Sequence, residues 1–262
     1  MSKTKVIILC GGKGTRLREE TEFRPKPMIE IGGRPILWHI MKIYAFYGFT
    51  DFVLCIGYKG EVIKNYFMNY EAMNSDFTIR LGRPNQIDFH SSHLEKDWSI
   101  TIADTGEDTM TGARIRRIEK YIDTDEFMLT YGDGVANIDI NKLIEFHRSN
   151  KKLGTVTGVR PPLPFGKIIH KDGQVKKFSE KPKSTEDYIN GGFFVFNRDF
   201  FKYLSSDSMC VLEREPLEKL SKEGNLSMNF HSGFWHCMDT YQDYLLLNNL
   251  WKKGEAYWKV WE

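Results

Sequence analysis

The chain has 262 residues, of which 41% are hydrophobic and 27% are charged, a balance that is typical of a protein with a packed core and excludes extended disorder. The formal net charge of +2 creates no field that would attract nucleic acid or an anionic membrane, so we expect neither as a partner. An anionic ligand would have to be held by a local group of cations.

Apolar runs such as residues 6–9 are too short to span a bilayer, and nothing after Met1 resembles a signal peptide. The four cysteines are widely spaced and form no CxxC pair. Cys10 and Cys55 each lie in or at the end of an apolar run, so we expect both to be buried free thiols. These features predict a reduced, cytoplasmic protein.

The first half of the chain alternates strand and helix patterns. Strands are predicted at Lys5–Cys10, Asp51–Ile56, 98–103 and 127–131, and helices at 36–47, 61–70 and 112–121. Short apolar runs bounded by glycine are typical of buried parallel strands. The alternation predicts right-handed crossovers in a doubly wound, mostly parallel, Rossmann-like α/β sheet.

After about residue 154 the pattern changes to short strands joined by turns. Strands are predicted at 155–159, 167–170, Gln174–Ser179 and 193–196, followed by helices at 211–222 and Tyr241–Lys252. The turn-linked strands predict antiparallel additions to the sheet, and the Trp- and Tyr-rich tail at 256–262 is expected to pack within the chain or at an interface. Because no linker is evident, we expect one continuous domain, 1–262, with residues 1–150 mainly binding nucleotide.

The segment CGGKGTRL, residues 10–17, follows the first predicted strand. Its three glycines let backbone amides approach an anion closely. It lacks the Gly-Lys-Ser/Thr ending of a P-loop, and Leu17 stands where the dinucleotide fingerprint needs a third small residue. Lys13 and Arg16 in one turn would repel each other unless an anion lay between them, so the turn is expected to bind phosphate.

A second group of cations lies in the segment RPKPM, residues 24–28. The prolines on either side of Lys26 restrict its backbone. A lysine on a stiff segment loses little entropy on binding and is suited to hold a phosphate. Close behind the glycine-rich turn, this segment predicts a second phosphate ligand.

Together these two segments resemble the signature of the sugar-phosphate nucleotidyltransferases. The resemblance covers essentially the whole chain, with Cys10 standing where the family usually has alanine. Residues 35–42, 104–112 and 233–240 resemble the members that use CTP and glucose 1-phosphate. The resemblance implies transfer of a nucleotidyl group to a sugar phosphate with release of pyrophosphate, a role in bacterial surface-polysaccharide synthesis, and a homo-oligomer, a hexamer being one option.

The resemblance also implies a set of nucleotide-binding residues. These are Leu9, Cys10, Gly11, Gly12, Lys13, Gly14, Thr15, Arg16, Lys26, Thr109, Arg114 and Gly134. Members of the family diverge by nucleotide in the segment 104–114. A backbone carbonyl facing the amino group of cytosine would disfavour uracil, which presents an acceptor there. UTP and dTTP remain alternatives to CTP.

Asp133 lies two residues after the strand predicted at 127–131, at the edge of a parallel sheet where ligands bind. A carboxylate there can approach a magnesium ion that carries phosphate oxygens. A simple Asp-Gly turn is the alternative. Asp239 precedes the last helix, and its alternative role is the N-cap of that helix. The resemblance implies that Asp133 and Asp239 together hold Mg²⁺.

Two further segments, EKP at 180–182 and NGG at 190–192, fit ordinary turns as local sequence. The resemblance implies that Lys181 binds the sugar phosphate and that Glu180, Asn190 and Gly191 contact sugar hydroxyls. This division suits an ammonium for phosphate and a carboxylate or amide for hydroxyls.

The implied nucleophile, a sugar-phosphate oxygen, is already ionised, so no general base is required. The catalytic task is to bring two polyanions together, which assigns Arg16, Lys26 and Lys181 as catalytic cations. A sugar-nucleotide-dependent glycosyltransferase with Asp133 as its metal ligand is a rival, and a non-enzymatic subunit of the same fold is another.

Overall fold

The computed structural model describes residues 4–82, 86–160, 167–179 and 187–262. The predicted sugar-phosphate ligands Glu180 and Lys181 lie outside the described residues.

The described strands are numbered in chain order. They are β1 (Lys5–Cys10), β2 (Glu30–Ile31), β3 (Arg34–Pro35), β4 (Asp51–Ile56), β5 (Phe77–Ile79), β6 (Ile87–Phe89), β7 (Ser99–Asp104), β8 (Glu126–Tyr131), β9 (Gly134–Ala136), β10 (Gly154–Val159), β11 (Lys167–Lys171), β12 (Gln174–Ser179), β13 (Ile189–Asn190), β14 (Phe194–Asn197), β15 (Leu226–His231) and β16 (Trp235–Cys237). The α-helices are α1 (Arg18–Thr21), α2 (Ile36–Phe46), α3 (Gly60–Met68), α4 (Tyr70–Asn74), α5 (Thr111–Arg117), α6 (Ile140–Asn150), α7 (Glu215–Lys222) and α8 (Tyr241–Lys252). Short 3₁₀ turns lie at Lys26–Met28, Glu119–Tyr121 and Arg198–Tyr203.

The predicted fold class is confirmed. β1 pairs in parallel with β4 on one side and with β8 on the other, and β7 extends the sheet beyond β4. β1 is buried on both faces, so its side chains divide between two hydrophobic layers. Val6 and Ile8 pack in one layer and Ile7 and Leu9 in the other, which explains its continuous apolar sequence.

The second half adds strands of both directions. β14 lies antiparallel to both β8 and β10, and β11 forms an antiparallel hairpin with β12, as the turn-linked pattern predicts. β15 differs, because it pairs with β10 in parallel along six residue pairs. The chain reaches β15 through α7, so this half also contains a helical connection.

The helices α6 and α7 differ from the predicted pattern. α6 was not expected; it begins after Asp139, whose side chain caps the amide of Lys142, and it buries Leu143 and Ile144 on one face. α7 begins at Glu215 rather than at 211, with Pro216 in its first turn, a position that suits proline.

The aromatic tail packs within the chain. Trp258 is fully buried and contacts His39, whose ring also contacts Trp251 and Trp261 edge-on or tilted. Of the two roles expected for the tail, internal packing therefore holds for both Trp258 and Trp261. No helix within the described ranges is long and apolar enough to cross a bilayer.

Candidate active site

A cleft of about 320 Å³ opens at the carboxyl ends of β1 and β8. Ten of the predicted nucleotide-binding residues line it: Leu9, Cys10, Gly11, Gly12, Gly14, Thr15, Arg16, Lys26, Thr109 and Arg114. The lining also includes Pro27, Met110, Thr111, Tyr131, Gly132 and Asp133. The predicted residues Lys13 and Gly134 do not line this cleft. The ligand-binding edge of the sheet is therefore where the chain order of motifs predicts it.

Arg114 packs against the glycine-rich turn and holds it through hydrogen bonds. It is only 3% exposed, and its guanidinium donates to the carbonyl of Gly11 at 2.9 Å and to that of Gly106 at 2.6 Å. Further bonds reach the carbonyl of Ile56 and the hydroxyl of Thr105. Arg114 thus ties the turn to the segment that follows β7, and its predicted contact with the nucleotide stays a prediction.

The close approach of the Arg114 guanidinium to the backbone explains the glycine at position 11. A Cβ there would lie 2.2 Å from Nη1 of Arg114, whereas a Cβ on Gly12 would meet nothing within 4 Å. Gly14 has a φ of +60°, in the left-handed region that favours glycine. The three glycines therefore differ in their surroundings. Gly11 packs on Arg114, Gly12 leaves an open face toward the cleft, and Gly14 adopts a left-handed backbone conformation.

The cations of the turn are paired with carboxylates of the same chain. Lys13 contacts Asp108 at 2.8 Å, and Arg16 contacts Asp239 at 2.9 Å. These carboxylates offset the repulsion between Lys13 and Arg16, so that repulsion alone does not require a bound phosphate. Their roles in phosphate binding stay predictions.

Lys26 lies between the two predicted metal ligands. Its Nζ is 2.8 Å from Oδ2 of Asp133 and also donates to Oδ1 of Asp239. Burial lowers the pKa of Lys26, but the ion pair with Asp133 and the hydrogen bonds to both carboxylates outweigh it and leave the pKa above its ordinary value. The ammonium is therefore a permanent positive charge that bridges two carboxylates.

A short ribbon brings these carboxylates together from distant parts of the chain. β9 pairs antiparallel with β16, with Gly134 opposite Cys237, so Asp133 and Asp239 flank the same end of the ribbon. Asp239 is not the N-cap of α8; Thr240 caps the helix in a reciprocal pair with Asp243. This leaves the carboxylate of Asp239 directed to Lys26 and Arg16.

The donor set suits a hard divalent cation. Side-chain atoms of Asp133, Cys237 and Asp239 lie within 4.8 Å of one another. Burial, and then the charge of Asp133, raises the pKa of the Cys237 thiol. Carboxylate oxygens are the ligands that Mg²⁺ prefers, whereas sulfur suits softer metals. The two aspartates therefore form the candidate metal-binding pair.

Asn190 and Gly191 lie beside the cleft, next to one of its aromatic walls. The amide of Asn190 donates to the hydroxyl of Tyr131 at 2.9 Å, and the indole of Trp235 donates to the carbonyl of Gly191 at 2.8 Å. A Cβ on Gly191 would lie 2.6 Å from Val159. The close contact with Val159 explains the glycine at position 191, and the bond to Tyr131 places Asn190 beside the cleft.

Sequence reasoning missed Tyr131 and Glu213 as site residues. Tyr131 is the last residue of β8 and lines the cleft, and its hydroxyl donates to Glu213 at 2.6 Å. Burial, and then the charge of Glu213, raises the pKa of Tyr131, so the phenol stays neutral. Glu213 was placed in a predicted helix, and no local motif marks it.

The fold and this cleft define a nucleotide-binding α/β protein with cations and a carboxylate pair arranged for phosphate chemistry. The sequence profile of the nucleotidyl transferase family matches residues 5–253, and the chain belongs to this family, whose members generally depend on a divalent metal.

The relatives agree over nearly the whole chain. The chain is 48% identical to the glucose-1-phosphate cytidylyltransferase of Salmonella typhimurium, over 98% of this chain and 100% of that protein. It is 45% identical to a probable glucose-1-phosphate cytidylyltransferase of Bacillus subtilis, with the same two coverages.

Solved structures support the fold. HddC from Yersinia pseudotuberculosis superposes with a TM-score of 0.70 at 22% identity, over 95% of this chain and 99% of that one. A UDP-glucose pyrophosphorylase complexed with UDP-glucose gives 0.69 at 15% identity, over 97% of this chain and 100% of that one.

Proposed function

We propose that this nucleotidyltransferase transfers the cytidylyl group of CTP to glucose 1-phosphate, giving CDP-glucose and pyrophosphate. The observation that carries the proposal is the convergence of Arg16, Lys26, Asp133 and Asp239 at one end of the glycine-rich cleft. The names of relatives that are 45–48% identical over their full length support the choice of substrates.

In the proposed reaction, a phosphate oxygen of glucose 1-phosphate attacks the α-phosphorus of CTP in line. A new P–O bond forms, the bond from the α-phosphorus to the bridging oxygen breaks, and pyrophosphate leaves with the electron pair. No proton has to be removed from the nucleophile. Two unit charges about 4 Å apart interact by about 4 kcal/mol at an effective dielectric near 20, so the main barrier is repulsion between the substrates.

The chain's cations offset that repulsion. Lys26 is assigned to the α-phosphate and to the charge that develops there, since it is nearly buried and held in place. Arg16, whose side chain is 73% exposed, is assigned to the departing pyrophosphate. Lys181 is assigned to the sugar phosphate, and Glu180, Asn190 and Gly191 to sugar hydroxyls.

We assign the metal as Mg²⁺, held by Asp133 and Asp239. When bound, it supplies positive charge to the phosphate oxygens of the nucleotide. The aspartates are ready for this role because the ribbon of β9 and β16 fixes their spacing through the main chain.

The nucleotide preference is tested by product formation. Glucose 1-phosphate is incubated with CTP, UTP or dTTP and Mg²⁺, and pyrophosphate and the sugar nucleotide are measured. We expect CTP to be used best. Preference for UTP or dTTP would change the base assignment. Absence of pyrophosphate with every nucleotide would reject the proposal and favour the glycosyltransferase alternative.

We also propose a homo-oligomer that buries the hairpin of β5 and β6. Its apolar side chains are exposed in the single chain: Phe77, Ile79, Leu81, Ile87 and Phe89. Such a surface is typical of a protein interface. Light scattering should give a multimer for the wild type and a smaller species for Phe77→Glu/Phe89→Glu. Val175→Glu, at an exposed apolar position of β12, should keep the wild-type state.

The predicted cytoplasmic location and the role in bacterial surface-polysaccharide synthesis stay proposals. Cys10 and Cys55 are free, buried thiols, as predicted for these two residues. Cell fractionation and the polysaccharide of a deletion strain would test the two points separately.

A further inference from the structure

Glu213 accepts hydrogen bonds from two cleft residues on different elements. Its Oε1 accepts from the hydroxyl of Tyr131 at 2.6 Å, and its Oε2 accepts from the hydroxyl of Thr111 at 2.8 Å. Tyr131 ends β8, and Thr111 begins α5. One carboxylate therefore joins two walls of the cleft that are far apart in sequence.

Each of these hydroxyls also accepts a hydrogen bond. The amide of Asn190 donates to Tyr131 at 2.9 Å, and the backbone amide of Leu212 donates to Thr111 at 2.9 Å. Both hydroxyl protons are thereby directed to Glu213, which has no proton to offer when ionised. The amide of Gly192 in turn donates to the side-chain oxygen of Asn190, so the orientation of the Asn190 amide follows from the same network.

The segment that carries Glu213 is fixed against the start of α5. The amide of Met110 donates to the carbonyl of Ser208 at 2.8 Å, and that of Ala113 donates to the carbonyl of Cys210 at 3.1 Å. Gly112 leaves no space there, since a Cβ on it would lie 2.7 Å from the sulfur of Cys210. The backbone beside Glu213 is therefore a stable base for its side chain.

We propose that Glu213 is a positioning residue that couples the nucleotide half of the cleft to the sugar half. Through Thr111 it sets the start of α5 beside the nucleotide, and through Tyr131 it sets Asn190 beside the sugar. This inference rests on the proposed function, because it assumes that the two halves bind CTP and glucose 1-phosphate. It assigns Glu213 no contact with either substrate.

The hydrogen bonds from Tyr131 and from Thr111 to Glu213 predict separate kinetic effects. Tyr131→Phe removes the hydroxyl that links Asn190 to Glu213, and we expect it to raise the KM for glucose 1-phosphate about tenfold while leaving the KM for CTP unchanged. Thr111→Val should raise the KM for CTP by a similar factor and spare that for the sugar phosphate. Glu213→Ala should raise both, with kcat within about threefold of wild type because Lys26 and Arg16 are retained.

Two further variants separate positioning from general stability. Glu213→Gln keeps the length but only one acceptor oxygen, so it can accept from Tyr131 or from Thr111 but not from both. One KM should therefore return to within about threefold of wild type while the other stays raised. Because Glu213→Ala already removes the hydrogen bond from Tyr131, adding Tyr131→Phe to it should raise the KM for glucose 1-phosphate no further. The control is Glu223→Ala, since Glu223 accepts from the hydroxyl of Tyr203 in a similar pair, and neither residue lines the cleft.

The outcomes distinguish the two proposals. A wild-type enzyme that releases no pyrophosphate rejects the proposed function, and the inference falls with it. A wild-type enzyme that is active while Glu213→Ala matches Glu223→Ala in both KM values overturns the inference alone. A change confined to one substrate in Glu213→Ala, or additive effects with Tyr131→Phe, would also overturn the coupling.

Discussion

The backbone amide of Met238 donates a hydrogen bond of 2.9 Å to the carbonyl of Asp133. This bond extends the pairing of β9 with β16 by one residue toward the cleft and sets Asp239 beside Asp133. Because the spacing comes from main-chain pairing, it does not depend on the charge of the side chains. We therefore expect charged residues of the site to be replaceable without loss of the fold.

Replacement of Lys26 by methionine tests the electrostatic role of the ammonium. The variant loses the cation between Asp133 and Asp239, so we expect kcat to fall by about a hundredfold or more. The free energy of unfolding should fall by about 3 kcal/mol, because Asp133 and Asp239 then face each other without the ammonium between them, and Arg16 pairs only with Asp239. Steady-state kinetics and urea unfolding measure the two effects. Lys202→Met, which breaks an exposed pair with Asp199, is the control, and near wild-type turnover in Lys26→Met would remove Lys26 from the mechanism.

The two neighbouring glycines of the turn should respond differently to alanine. Gly11→Ala introduces a Cβ 2.2 Å from Arg114, which its acceptors hold in place, so the melting temperature should fall as for an overpacked core. Gly12→Ala meets no atom within 4 Å and should keep the melting temperature, but it should raise the KM for CTP if phosphates approach the turn at this face. Equal melting temperatures for the two variants would contradict the packing argument.

Arg114→Lys tests whether the guanidinium acts on the fold of the cleft. Lysine keeps the charge but cannot bind Gly11, Gly106 and Thr105 at once, since it lacks the planar fork. We expect lower thermal stability without any ligand, and a higher KM for CTP. Arg116→Lys, on the same helix in a surface pair with Glu119, should change neither value. Wild-type stability of ligand-free Arg114→Lys would reject the organising role.

His39 predicts a pH dependence of stability away from the cleft. Burial lowers its pKa to about 4, while in the unfolded chain it is near 6.5. The unfolded state therefore binds more protons between these values, and stability that is present above pH 6.5 is lost as the pH falls toward 4. The difference corresponds to about 3 kcal/mol.

In His39→Phe this loss should disappear, although the variant is less stable at pH 8 because the bond to the carbonyl of Ile31 is gone. Urea unfolding at several pH values from 4.5 to 8 measures the slope. The exposed His90 provides the control, since His90→Gln should keep the wild-type slope. An unchanged slope in His39→Phe would show that other groups cause the loss of stability at low pH.

Much of the fold could be predicted because local signals and tertiary structure agree. β1 and β4 match the predicted Lys5–Cys10 and Asp51–Ile56 to the residue, since short apolar runs between polar and glycine positions suit strands that are covered on both faces. α6 was missed although Asp139 caps it, because its charged outer face obscured the apolar stripe. β15 was missed because its residues are only partly buried and show no clear alternation.

The candidate site was predicted unevenly. Asp133 follows a predicted strand, so general rules for parallel sheets locate it. Asp239 depended on the resemblance, because the ribbon that brings it to Asp133 leaves no sequence pattern. The partners Asp108 and Glu213 were unpredictable for a related reason: a carboxylate on a distant segment gives no sign of which cation or hydroxyl it will meet. Whether the chain is a single domain, as expected, stays a prediction.

The ion pairs of the free cleft change what an affinity measurement means. Lys13, Arg16 and Lys26 already hold carboxylates, so a polyanion that binds these cations, as proposed, would have to displace those partners. Its net affinity would then be the difference between two sets of contacts, and so smaller than the gain from the new contacts alone. We expect this competition to weaken the binding of substrate and product alike, because the aspartates that compete with incoming phosphates can also replace departing ones.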